Sequence, residues 1–164
     1  MRRPAGQPNA IYSMVRMAGV TNYLLFAWTN TSLADCETFN LPCANIRPLL
    51  LEPIDKDVWR DITVAMWSKP VLTLRALRAG YVVLLSDSDV AFTTKPLFEL
   101  LTQLAVRSHA DGAFQEEGTP RLNSGMFLVL PNERGIQGME IWLNRSSLPW
   151  RLAALLATRR IKPS

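Results

Sequence analysis

Apolar residues fall along this chain in short runs, and the runs alternate between a helical and an extended period. Ile11 to Met17 has helical spacing and is closed by Gly19, while Tyr23-Leu24-Leu25-Phe26-Ala27-Trp28 is a continuous apolar run of strand length. Thr31 or Ser32 is placed to cap a short helix through Thr38, and Pro42-Cys43-Ala44-Asn45-Ile46 reads as a second, weaker strand. Pro48 and Pro53 assign 47–56 to a loop. Asp61 can open a helix carrying Val64, Met66 and Trp67, which Pro70 interrupts. Val71, Leu72, Leu74 and Leu77 then resume helical spacing up to Gly80, which stands where a helix C-cap belongs. The β-branched and apolar run 81–86 is a strand, and Pro96 starts a helix through Leu104. Ala113-Phe114 adds a short strand, Gly125 to Leu130 a clear one ended by Pro131, and Gln137 to Leu143 a last helix.

Strands alternating with helices predict an α/β fold: a mostly parallel central sheet covered by helices on both faces, a Rossmann-type α/β/α sandwich with ligands outside the carboxyl ends of its strands. At 164 residues this is one domain, expected over 11–150, after a flexible segment at 1–10 and before a basic tail or helix at 151–164. With 48% apolar and 20% charged residues the composition is that of a globular protein. The net charge of +4 rests on scattered Lys and Arg, which suits an anionic small molecule and argues against nucleic acid as a partner. No apolar run reaches the length of a membrane span, and no targeting segment is visible. Cys36 and Cys43 with the sole histidine, His109, are too few for a zinc site, and the two cysteines fit either a disulfide in an oxidising lumen or a pair of buried thiols. Asn30-Thr31-Ser32 and Asn144-Arg145-Ser146 match the N-glycosylation triplet.

The candidate chemistry lies where strand 81–86 ends. Asp87-Ser88-Asp89 places two carboxylates one residue apart, and in an extended segment such residues project to one side, where they can share a hard divalent cation. Burying both without a cation would cost several kcal/mol or keep one protonated, so the pair predicts a partner such as a metal-bound diphosphate. Asn123-Ser124-Gly125 is read as a turn before the next strand, with amide and hydroxyl at a cleft floor and Gly125 permitting close backbone approach. Lys69 is a candidate phosphate ligand, and Asp111, Glu116 and Glu117 are either solvated loop acids or cleft carboxylates. The tryptophans at 59, 67, 142 and 150 are expected to pack in or over the core.

Taken in order, Trp67-Ser68-Lys69-Pro70, the helix ending at Gly80, the strand closing on Asp87-Ser88-Asp89-Val90 and Pro96-Leu97 resemble the nucleotide-diphospho-sugar transferases of plants and algae, which include arabinosyl-, xylosyl- and galactosyltransferases. Asn22 to Ala27 with Cys36 and Leu41-Pro42-Cys43, and later Leu122 to Val129, are similar to further segments of that family. The resemblance implies a GT-A-like fold, a nucleotide-sugar donor, in particular a UDP-sugar, and a glycan or glycoprotein acceptor in the Golgi lumen or at its membrane. It implies manganese or magnesium held by Asp87 and Asp89, a catalytic role for these two and Asn123, and donor contacts from Lys69, Ser88, Ser124 and Gly125.

The chain departs from the family's pattern where Trp28 and Thr29 replace an acid, and the short stretches before Ile11 and after Leu143 imply a partial domain. Two other readings compete. A truncated remnant would bind nucleotide sugar or a partner chain without catalysis. A phosphatase of the haloacid dehalogenase type also ends a strand with Asp-x-Asp, but needs a later lysine and a further acidic pair, and after Asp89 the lysines are Lys95 and Lys162 and no strand is followed by adjacent aspartates.

Overall fold

The computed structural model describes residues 7–46, 48, 61–93, 96–116, 118 and 122–145. The expected loop at 47–56, Trp59, Glu117, Trp150 and the tail at 151–164 lie wholly or almost wholly outside these residues, as does most of the segment at 1–10. In chain order the elements are α1 (Gln7–Tyr12), which widens into a π-helical turn at Ser13–Met17, then β1 (Leu25–Ala27), α2 (Asn30–Thr38), β2 (Cys43–Asn45) and α3 (Asp61–Arg78). They continue with β3 (Val83–Ser86), α4 (Leu97–Arg107), β4 (Gly112–Glu116), β5 (Leu122–Val129) and α5 (Glu133–Arg145). The chain forms two compact units, one of residues 1–21 and 72–140, the other of 22–71 and 141–164, so the division falls inside α3 and α5.

In the second unit β1 and β2 pair in parallel, Leu25 opposite Cys43 and Ala27 opposite Asn45, with α2 as the crossover that parallel strands require. Thr29 caps α2 rather than Thr31 or Ser32. Its hydroxyl accepts from the Ser32 N–H at 3.0 Å while the Ser32 hydroxyl accepts from the Thr29 N–H at 3.2 Å, a reciprocal capping box. Cys36 on α2 and Cys43 on β2 are joined as a disulfide across 6.1 Å between Cα atoms, which decides between the two states open for these cysteines. Ala27 and Ile46 are buried beside that pair of strands in sequence.

The first unit is built on a three-stranded sheet in the order β3-β5-β4. Both pairings are antiparallel, Val83 opposite Val129 through Ser86 opposite Met126, and Gly112 opposite Val129 through Glu116 opposite Leu122. The α/β class holds, with helices and a parallel pair present, but two of the three pairings among the described residues are antiparallel, where a mostly parallel sheet was expected. The central strand β5 is flanked on both sides, and Phe127, Leu128 and Val129 are accordingly buried. Leu74, Leu77, Phe92, Ala105 and Met139 complete this unit's core, each large side chain contributing about 1.5–3 kcal/mol when fully buried. Phe114 and Phe127, opposite each other on β4 and β5, stack at 5.1 Å.

The two helices expected on either side of Pro70 are one helix, α3, with Pro70 buried inside it. A proline there forfeits one hydrogen bond and crowds the preceding turn, about 3 kcal/mol, and the buried Val71, Leu74 and Leu77 that follow offset it by packing. The Arg78 guanidinium reaches Glu140 on α5 at 2.6 Å. No helix among the described residues is long and apolar enough to cross a membrane.

Candidate functional site

Strand β3 ends at Ser86, one residue before the acidic motif, and the chain then turns. The Val90 N–H donates to the Asp87 carbonyl at 3.4 Å, closing Asp87-Ser88-Asp89-Val90 as a β-turn with an aspartate at its first position, where Asp is favoured. The Ser86 hydroxyl donates to the same carbonyl at 3.1 Å. The two carboxylates therefore do not sit on alternate positions of an extended strand, and the turn sets their relation. Asp87 is half-buried, whereas Ser88 and Asp89 are exposed. Water reaches Asp89 freely, so the cost of burying two carboxylates, used above to require a partner, does not arise. What distinguishes the motif is its position and its neighbours.

Those neighbours come from β5. The antiparallel register brings Asp87 opposite Gly125, and the Asp87 N–H donates to the Gly125 carbonyl at 2.7 Å, one step beyond the last strand pair. The Asn123 side-chain oxygen accepts from the Gly125 N–H at 2.5 Å, an Asx turn within the strand. A Cβ on Gly125 would stand 2.8 Å from Asn123 Oδ1 and 3.3 Å from Asp87 Oδ2, so a side chain there would crowd both, and Gly125 is bonded to each of the two residues. Asn123-Ser124-Gly125 is part of β5, not a turn before it. The strand is nevertheless irregular here. Phe114 opposes Phe127 and Gln115 opposes Asn123, so Ser124, Gly125 and Met126 have no counterparts on β4. Bulges of this kind bend a strand and re-aim its side chains, and they recur beside active sites.

The structure thus joins Asp87, Asn123 and Gly125, with Ser88, Asp89 and Ser124 adjacent in sequence, in the first unit. Lys69 is half-buried on the part of α3 that belongs to the second unit. Asp111 is engaged elsewhere: its carboxylate receives the Arg134 Nε at 3.1 Å and the Asn132 side-chain amide at 3.0 Å, and Asn132 Oδ1 accepts from the Gly135 N–H at 2.8 Å as the N-cap of α5. Glu116 is exposed on β4. His109, with φ of 53°, takes the left-handed position after α4. The Asn123 to Gly125 bond is not among the expectations above, although an Asn two residues before a Gly is its signal. Among the described residues no three His, Cys, Asp or Glu side chains gather in a metal-binding cluster. A cavity of about 160 Å³ opens beside the bulge, with Leu84, Leu101, Phe114 and Met126 in its lining, and is too apolar to hold an ionic group.

No curated protein and no solved structure gives a significant match to the chain. The profile of one family does match, over residues 18–148, a span that includes β1 to β5, the Asp87 turn and the β5 bulge. With well over half of its length so matched, the chain belongs to the nucleotide-diphospho-sugar transferase family.

Proposed function

We propose that the protein transfers a sugar from a nucleotide-diphosphate sugar, in particular a UDP-sugar, to a glycan or glycoprotein acceptor, with Mn²⁺ or Mg²⁺ held through Asp87 and Asp89. The observation that carries this reading is the placing of Asp87 at the end of β3 opposite Gly125, with its Oδ2 beside the bare Gly125 α-carbon, in a chain of this family. The donor set fits the group. Mg²⁺ and Mn²⁺ prefer oxygen ligands and commonly take one or two carboxylates with substrate phosphates and water, and Asp87 and Asp89 offer two carboxylates within one open turn. When bound, the cation supplies charge neutralisation of the diphosphate leaving group as the sugar–oxygen bond breaks.

The chain's own residues then have distinct tasks. Asp87, with its N–H and C=O both tied into the sheet and turn, offers a carboxylate on a fixed backbone, and exposed Asp89 supplies the second from the same turn. Asn123 has its side-chain oxygen committed to Gly125, which fixes the side chain beside the Asp87 turn, at the donor end of the site. Ser88, exposed in the turn, brings a hydroxyl that can donate to a phosphate or sugar oxygen, and Ser124 lies next to Gly125 in β5. The Cys36–Cys43 disulfide supports an oxidising compartment such as the Golgi lumen.

The test is turnover of a panel of UDP-sugars with Mn²⁺, with and without EDTA. Release of UDP that requires Mn²⁺ and stops with EDTA is the expected result. A chain that releases no UDP and is not stabilised by any UDP-sugar overturns the reading, and phosphate release from a monoester would favour a phosphatase.

A further inference from the structure

Three features of the β5 bulge meet at Gly125, beside Asp87. Asn123 folds its side chain back onto the Gly125 N–H, the Gly125 carbonyl takes the Asp87 N–H, and the bare Gly125 α-carbon leaves the space beside Asp87 Oδ2. A side chain at 125 would meet Asn123 Oδ1 at 2.8 Å, closer than a carbon and an oxygen tolerate, and would press on Asp87 Oδ2 at 3.3 Å. Neither neighbour is free to yield without loss: moving the Asn123 oxygen breaks its bond to the Gly125 N–H, and moving the carboxylate changes where it aims. The backbone itself makes no such demand, since Gly125 is not among the described glycines with positive φ.

We propose that Gly125 and Asn123 are positioning residues for Asp87: the glycine leaves the slot, the Asn123 oxygen walls it, and together they hold the Asp87 carboxylate in the orientation in which it takes a divalent cation. This rests on the reading of Asp87 as a metal ligand given above. Residues that orient a ligand from behind commonly change metal affinity by roughly 10- to 100-fold when replaced, and the bulge places both positioning residues on the strand directly opposite the ligand.

Mn²⁺ binding by electron paramagnetic resonance and calorimetry, with UDP present, tests this on the full chain and its Gly125→Ala, Asn123→Ala, Asp87→Ala and Gly138→Ala variants. Gly138 is the matched control, because a Cβ there meets nothing within 4 Å. Gly125→Ala is expected to weaken Mn²⁺ binding roughly 10- to 100-fold and Asn123→Ala several-fold, in about the range of outer-sphere replacements. Gly138→Ala should bind as the wild type does. If Asp87→Ala abolishes binding while Gly125→Ala and Asn123→Ala bind normally, the positioning role is overturned and the metal reading stands. If the wild type binds no Mn²⁺, or Asp87→Ala binds as well as it does, both fall. Should Gly125→Ala fail to fold, Asn123→Ala decides alone, since it removes the wall without adding an atom.

Discussion

Asp87 is tied down through its backbone. Its N–H is bonded to Gly125, and its carbonyl accepts from Val90 and Ser86, so Asp87→Ala leaves every one of those bonds in place. Asp89 is exposed, and an exposed substitution outside a cap or core changes stability by less than about 0.5 kcal/mol. Asp89→Ala is therefore expected to melt close to the wild type and Asp87→Ala to keep its turn and strand pairing, while both lose Mn²⁺-dependent UDP binding in calorimetry, and equal binding by both would remove these carboxylates from the site. Asp111, another acid of this unit, behaves in the opposite way. Asp111 serves the start of α5, where Asn132 caps the helix and Arg134, 79% exposed, pairs with the carboxylate. Loss of an N-cap costs about 1 kcal/mol, while an exposed ion pair contributes well under that. Thermal melts should accordingly show Asn132→Ala clearly destabilised and Arg134→Ala nearly unchanged. The reverse order would mean that the ion pair, not the cap, fixes the helix start.

Three helices end in the same way with three different residues. After α2, α3 and α4 the N–H groups of Leu41, Tyr81 and Ala110 reach back to Cys36, Ala76 and Ala105, and those of Asn40, Gly80 and His109 reach Glu37, Leu77 and Val106. These are Schellman motifs, and the left-handed residue in each is Asn40, Gly80 or His109, with φ of 49°, 87° and 53°. A side chain in that conformation costs roughly 1–2 kcal/mol. His109→Gly should raise the melting temperature and Gly80→Ala should lower it by a comparable amount; a His109→Gly variant that melts lower would show that the imidazole has a role of its own. Gly80 was legible in the sequence because glycine is the common occupant of this position, whereas His109 was not, since nothing in its spacing marks it. The same contrast runs through the other elements. Pro70 divided α3 on paper because local chemistry forbids it, and only tertiary burial explains the continuous helix. Asn123-Ser124-Gly125 has turn composition, and pairing with β3 overrides it. That early start matters for topology: with β5 beginning at Leu122, the connection from β4 is short enough for a hairpin, whereas a strand begun at Gly125 left room for a crossover. Asn132 and Glu133 gave α5 an N-terminal signal, but Gly135 and Gly138 masked the first turns. Of the site, residue identity was legible in Asp87, Asn123 and Gly125, and their contact was not, because it depends on a strand register between distant segments.

At the scale of the whole chain, the two units differ in what holds them. The first has a three-stranded sheet with a buried central strand, while the sheet of the second has two strands of three residues each, and two-stranded sheets are marginal in water. The Cys36–Cys43 bond lies in that second unit and ties α2 to β2. Closing a loop of sequence separation 7 removes conformational freedom from the unfolded chain equivalent to about 2.5 kcal/mol in the chain-entropy account. The amount is large against what β1, α2 and β2 bury, since α2 has no buried residue. Removing the bond by Cys36→Ser with Cys43→Ser should therefore loosen the second unit first. Hydrogen exchange followed by mass spectrometry is expected to show faster exchange in 25–45 with protection retained in β3 and β5. Equal loss of protection in both sheets would mean that the units open together, and no loss in either would mean that the strands and the Thr29 capping box hold the second unit without the cross-link. The first outcome would also bear on compartment, because a segment that depends on its disulfide for order keeps that order only where thiols are oxidised.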